Sequence, residues 1–153
     1  MTSTKTTYLE GTSESPEDTI LWGQQFGKRL QAGAVVCFFR DLAAGKTTFI
    51  KGLASALGDH KPEDVNSPTF VYLNIYSGER TVYHFDLYRL RDSDEFLSMG
   101  FDEMLYSNGI CCIEWSERIQ DIIPSGETYA VTISHVGENK RHIKIEHFHE
   151  KNS

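Results

Sequence analysis

Basic side chains are few: 15 Lys and Arg stand against 22 Asp and Glu, a net charge of −7. That balance argues against broad binding to a DNA or RNA backbone, which needs a concentrated basic surface. Any role on a nucleic acid is expected to run through a partner. Cysteine is scarce too. Cys37, Cys111 and Cys112 lie in apolar runs with no C-x-x-C pair, a pattern that favours buried reduced thiols in a cytoplasmic protein over a metal or redox motif. No stretch approaches the roughly 18 apolar residues of a membrane span. The polar opening MTSTKTTYLEGTSE also lacks the apolar core of a secretion signal, so a soluble intracellular protein is expected. Internal repeats and low-complexity tracts are missing, and 153 residues suffice for one domain with a core that needs no metal or disulfide. We expect a single domain over 1–153, with 1–14 as an N-terminal segment and 149–153 as a tail.

What is present reads as alternating strands and helices. In SPEDTILWGQQFGKRLQAG, Ser15 is placed as an N-cap, Pro16 at the first helical position and acids in the first turn. Ile20, Trp22, Phe26 and Leu30 supply an apolar stripe, and Gly33 is the expected stop. The run AVVCFF (34–39) is continuously apolar, the mark of a strand buried on both faces. A helix is predicted from about Lys46, with Phe49, Leu53 and Leu57 every four residues and Gly58 at its end. NSPTFVYLNIY and TVYHFDLY read as a hairpin across S-G-E-R, and RDSDEFLSMGFDEMLYSNG as one or two short helices starting at Asp92 or Ser93. ICCIEW reads as a second buried strand, and YAVTISHV with RHIKIEHF as an exposed antiparallel pair. The sum is an α/β fold with a mixed sheet.

Between the first buried strand and its helix lies RDLAAGKTT, which ends like a phosphate-binding loop and begins unlike one. The pattern G-x-x-x-x-G-K-S/T keeps its second glycine, lysine and hydroxyl as Gly45, Lys46 and Thr47, but Arg40 occupies the first glycine position. Strand, small-residue loop and amphipathic helix come in the order that a phosphate loop requires, and that context carries more weight than the pattern. A helix N-terminus meets clustered phosphate charge with unpaired N–H groups and a favourable dipole. Lys46 is the candidate to neutralise β and γ oxygens and Thr47 to ligate Mg²⁺, which makes ATP and Mg²⁺ the expected cofactors. Arg40 and Ala43 limit close backbone approach, since a left-handed alanine costs about 1 kcal/mol.

Magnesium needs a carboxylate beyond one hydroxyl. Asp86 after VYHF and Glu114 after ICCI both close apolar strands, and each is a candidate metal ligand or water-orienting acid; the sequence leaves the division between them open. No D-x-x-G follows the loop, and NKRH (139–142) lacks the acid of a guanine-reading motif, which favours ATP over GTP. His142, His147 and His149 read as solvated strand positions rather than metal ligands. Arg89, Arg91 and Arg118 are candidates for a charge-stabilising arginine, which a partner is also able to supply.

Taken together, DLAAGKTTF, SPTF, HFDLYRL and IEWSER, in this order and at these separations, resemble the TsaE (YjeE) family of small bacterial P-loop ATPases, over nearly the whole chain. The resemblance implies a P-loop NTPase-like three-layer fold with a mixed parallel and antiparallel central sheet. It also implies an ATPase partner of the TsaB and TsaD proteins in making threonylcarbamoyladenosine at position 37 of tRNAs. By matching motif, Asp41, Leu42, Ala43, Ala44, Gly45, Lys46, Thr47 and Thr48 would line the nucleotide, with Trp115 nearby and Thr69 of SPTF in a nucleotide-sensing loop. Lys46, Asp86 and Glu114 would be the catalytic residues, and Thr47, Asp86 and Glu114 the magnesium ligands. The family's loop reads G-D-L-G-A-G-K-T-T, so Arg40 and Ala43 depart from glycine, and Ser116 stands where proline is usual. Two other readings carry weight: a nucleotide-holding adaptor that does not hydrolyse, and a small-molecule kinase.

Overall fold

The computed structural model describes residues 3–39, 45–58, 61–65, 72–124 and 126–150, for 3–4 and 149–150 the backbone alone. Their elements are β1 (Ser3–Ser13), α1 (Pro16–Arg29), β2 (Val35–Phe38), α2 (Lys46–Leu57), β3 (Leu73–Tyr76), β4 (Val82–Asp86), α3 (Ser93–Ser98), α4 (Asp102–Leu105), β5 (Ile110–Glu114), β6 (Thr128–His135) and β7 (Arg141–Glu150). One 3-10 segment, Pro62–Asp64, follows α2, and a second, Ser116–Ile122, follows β5.

The seven strands form one sheet in the order β1-β7-β6-β2-β5-β4-β3. Its centre is parallel, β6, β2, β5 and β4, and the flanking strands β7, β1 and β3 pair antiparallel, so the sheet is mixed as expected. Side-chain alternation divides the two faces. Val36, Phe38, Cys112 and Val82 pack against Phe26 and Leu30 of the α1 region and Phe49, Ile50 and Leu53 of α2. Val35, Cys37, Cys111, Ile113 and Phe85 face the other way, onto Phe96, Leu105 and Ile119. Helices therefore cover both faces, the arrangement that buried parallel strands demand.

Local chemistry explains most boundaries. Ser15 Oγ accepts from the Asp18 amide at 3.0 Å, and Pro16 opens α1. The helix stops at Arg29 with Leu30 as its cap, short of Gly33, which takes a left-handed turn (φ 85°) on the way into β2. Asp92 caps α3 by accepting from the Glu95 amide at 3.0 Å. Two segments differ from expectation. The N-terminal residues form β1, whose Thr-rich polar run pairs along β7 as an outer strand, and β7 itself reaches Glu150. β6 is mostly buried rather than exposed, because it borders β2 on its other side.

The helices α1 and α2 touch at backbone distance. A Cβ built on Gly23 would lie 2.0 Å from the Phe49 carbonyl oxygen, and one on Gly52 would lie 2.0 Å from the Ile20 carbonyl oxygen. Only glycine fits at either position, and this contact fixes how α2 lies on the sheet.

Candidate functional site

The register of the parallel strands assembles the site. Phe38 pairs with Glu114 and Glu114 with Asp86, so the last residues of β2, β5 and β4 form one row. Partners in a parallel ladder project to the same face, and here that face is the one covered by α2. Asp86 and Glu114, 28 positions apart in the chain, thus stand side by side at the carboxyl edge of the sheet, the edge where open α/β folds bind ligands.

The start of α2 faces this row. Gly45 sits at φ 125°, ψ −19°, a conformation that a side chain would strain, and its carbonyl accepts the first helical bond from the Phe49 amide at 2.8 Å. The first turn of α1 holds two acids, Glu17 and Asp18, whereas that of α2 holds none, so its N-terminal dipole is not offset from within the turn. Lys46 reaches the end of β2: Nζ donates to the Phe39 carbonyl at 3.1 Å and lies 6.0 Å from the Trp115 ring centroid.

Backbone and side-chain bonds lock the strand ends to one another. Ser116 Oγ donates to the Phe38 carbonyl at 3.1 Å, a bond that a proline there would not make. The Leu87 amide donates to the Glu114 carbonyl at 3.1 Å, and the Tyr88 amide to Asp86 Oδ1, also at 3.1 Å. Trp115 adopts the left-handed region (φ 60°, ψ 43°), a costly conformation for a bulky residue, as it turns out of β5. Its ring lies 4.9 Å from Tyr88 and 5.2 Å from the Arg118 guanidinium, whose Nη2 donates to the Tyr88 carbonyl at 3.2 Å.

Charge is concentrated in the row. Burial, ahead of every other influence, raises the Asp86 carboxyl above the ordinary aspartate range, and the neighbouring Glu114 adds to the rise. The Tyr88 amide, His84 and Lys46 pull the other way. Glu114 is 6% exposed, and its Oε2 lies 2.7 Å from Nε2 of the fully buried His84. His84 is a residue that reading the sequence did not single out; the alternation of VYHFD, which puts it on the face of Asp86, was the available signal.

Of the residues expected at the site, Lys46, Asp86, Glu114 and Trp115 converge, and Gly45, Thr47 and Thr48 sit at the helix start beside them. Asp41, Leu42, Ala43, Ala44 and Thr69 lie outside the described residues, as does Arg40. Among the candidate arginines, Arg118 packs on Trp115, while Arg91 is exposed beside Glu95 and Arg89 is exposed in the turn after β4. His142 lies 2.9 Å from Glu10, and His147 stacks on Tyr129 at 4.5 Å, both away from the row. Among the described residues no helix is long and apolar enough to cross a membrane.

Comparison with known proteins bears on the family and the fold. The family model described as "Threonylcarbamoyl adenosine biosynthesis protein TsaE" matches residues 13–143. The tRNA threonylcarbamoyladenosine biosynthesis protein TsaE of Treponema pallidum is 46% identical over 122 residues, 80% of this chain and 87% of that protein. The protein of the same name from Bacillus subtilis is 35% identical over 136 residues, 88% of this chain and 83% of that one. A crystal structure of Bacillus subtilis YdiB superposes with a TM-score of 0.73 at 26% identity, covering 96% of this chain and 88% of that one. The mixed sheet with its paired strand-end acids and these matches lead to one conclusion: the chain belongs to the TsaE family, whose role lies in tRNA threonylcarbamoyladenosine biosynthesis.

Proposed function

We propose that the chain binds ATP with Mg²⁺, hydrolyses it slowly, and through that cycle resets a TsaB–TsaD complex that modifies position 37 of tRNA. One observation carries this reading: the N-terminus of α2, with Lys46, faces a row in which Asp86 and Glu114 are register partners. The amides at the start of α2 receive the phosphates, and Lys46 neutralises the oxygens around the scissile bond. Thr47 with Asp86 or Glu114 would hold the magnesium ion, which would supply positive charge against the phosphates. A magnesium ion held mainly by phosphate and water needs only one or two carboxylates, the number found here. The second acid orients the attacking water. Trp115, with Tyr88 and Arg118 packed around it, walls the site beside Lys46. The net charge of −7 supports contact with tRNA only through the partner complex.

The test is ATP turnover with and without TsaB and TsaD homologues, against Lys46→Ala. We expect partner-stimulated, Mg²⁺-dependent release of phosphate to water, lost in the variant. A second reading, a nucleotide-holding adaptor that does not hydrolyse, is favoured by Arg40 and Ala43 in place of loop glycines. Bound nucleotide without stimulated turnover would establish it. Phosphate delivered to a small molecule rather than to water would establish a kinase.

A further inference from the structure

From the contact between His84 and Glu114 we infer that His84 is a positioning residue, which fixes the Glu114 carboxylate in the orientation that the site uses. The inference deepens the proposed ATPase role and rests on it.

His84 occupies the middle of β4, fully buried, beside Asn74 of β3 and Cys112 of β5 in the ladder. An apolar β-branched or aromatic side chain is the usual occupant of such a position. Imidazole brings a polar cost here: among the described residues Nδ1 has no hydrogen-bond partner, although the atom is inaccessible to water. Nε2 alone is used, and it lies 2.7 Å from Glu114 Oε2. With the carboxylate as acceptor, Nε2 carries the shared proton.

Glu114 takes that bond through one of its two carboxylate oxygens. It closes β5 at 6% exposure, its backbone is fixed by the β2 and β4 ladders, but its side chain has rotatable bonds that the ladders do not restrain. A bond to Oε2 from the row beneath leaves the other oxygen, Oε1, to serve the site. A ligating or water-orienting carboxylate needs this kind of support, and loss of such partners commonly costs about 10- to 100-fold in activity or metal affinity.

Side-chain length supplies the test. Glutamine places its amide nitrogen near the position of Nε2, asparagine near that of Nδ1, and methionine provides no donor. We expect His84→Met and His84→Asn to lower kcat for ATP by about 10-fold or more with KM little changed. His84→Gln is expected to recover most of the loss. Because His84 acts through Glu114, His84→Met should add little further loss in a Glu114→Gln background. A second readout needs no turnover: in ¹⁵N-labelled protein without nucleotide, the His84 Nε2 proton should be protected from exchange and shifted downfield, and Glu114→Gln should move it upfield.

Equal kcat for the Gln and Asn variants, full activity in His84→Met, or an Nε2 signal indifferent to Glu114→Gln would each overturn the inference. Should His84→Met fail to fold, the Gln and Asn comparison decides alone. Wild-type protein with no ATP turnover sensitive to Lys46→Ala would bring down the ATPase reading, and this inference with it. Normal wild-type turnover that is insensitive to His84 would bring down the inference only.

Discussion

Gly52→Ala should destabilise the protein, although the same change in an ordinary helix stabilises it. Alanine exceeds glycine in helix propensity by about 1 kcal/mol, and a mid-helix position such as Gly52 should show that gain. The gain is overwhelmed because the new methyl would lie 2.0 Å from the Ile20 carbonyl oxygen and 2.8 Å from its carbon, both backbone atoms that no rotamer change moves aside. Reaching even 3.0 Å requires α1 and α2 to separate by about 1 Å, and Gly23 against Phe49 on the same contact would open with them. Overpacking of this kind costs about 1–3 kcal/mol where side chains can adapt, and backbone against backbone belongs at the upper end. The net effect is a loss of about 2 kcal/mol, or a fall in Tm of roughly 4–8 °C for a chain of this size. Thermal melts followed by circular dichroism measure it, with the exposed Gln25→Ala as a control expected to stay within about 0.5 kcal/mol. A Tm unchanged or raised by Gly52→Ala would refute the close helix contact and with it the placement of α2 over the row.

Asp86→Asn should trade activity for stability. The Asp86 carboxyl is raised by burial and by Glu114, so folding favours its protonated form; that contribution is present at low pH and is lost as pH rises through the folded value. Removing the charge, with the Tyr88 amide bond kept, should therefore raise stability at pH 7 by about 0.2–1 kcal/mol, an advantage that shrinks toward pH 4.5, while Mg²⁺-dependent turnover falls. Melts and phosphate release at both pH values decide, and a variant less stable at pH 7 would contradict the sign. The thiols offer another check. Burial pushes Cys37 and Cys111 up to about 12 and Cys112 well above its ordinary value, so the folded protein at pH 8 should resist iodoacetamide, whereas all three react once unfolded. Mass spectrometry reads the outcome, and stoichiometric labelling of the native chain would contradict the buried placement.

Much of the fold was legible because its signals are local. Ser15 and Pro16 announce α1 within four residues, and ICCI can hardly be anything but a buried strand. β1 was not legible: its threonines carry strand propensity without an apolar face, and its partner β7 lies at the far end of the chain. The glycines at 23 and 52 look alike in sequence to any helix-weakening glycine, since the backbone that they admit belongs to another helix. The site divides in the same way. Lys46 and its helix could be read from spacing, and the two strand-end acids could be named. Their adjacency depends on parallel register across 28 residues, which no local pattern encodes, and His84 becomes meaningful only once that register brings Glu114 above it.

The central claim is that a polyphosphate binds at the start of α2 with both acids beside it. A crystal structure of the protein with a non-hydrolysable ATP analogue and Mg²⁺ tests it most directly. The account predicts phosphate oxygens on the amides around Gly45 to Thr47 and on Lys46 Nζ, with the cation next to Thr47 and at least one of Asp86 and Glu114. Nucleotide bound elsewhere, or a cation that leaves both carboxylates untouched, would contradict it.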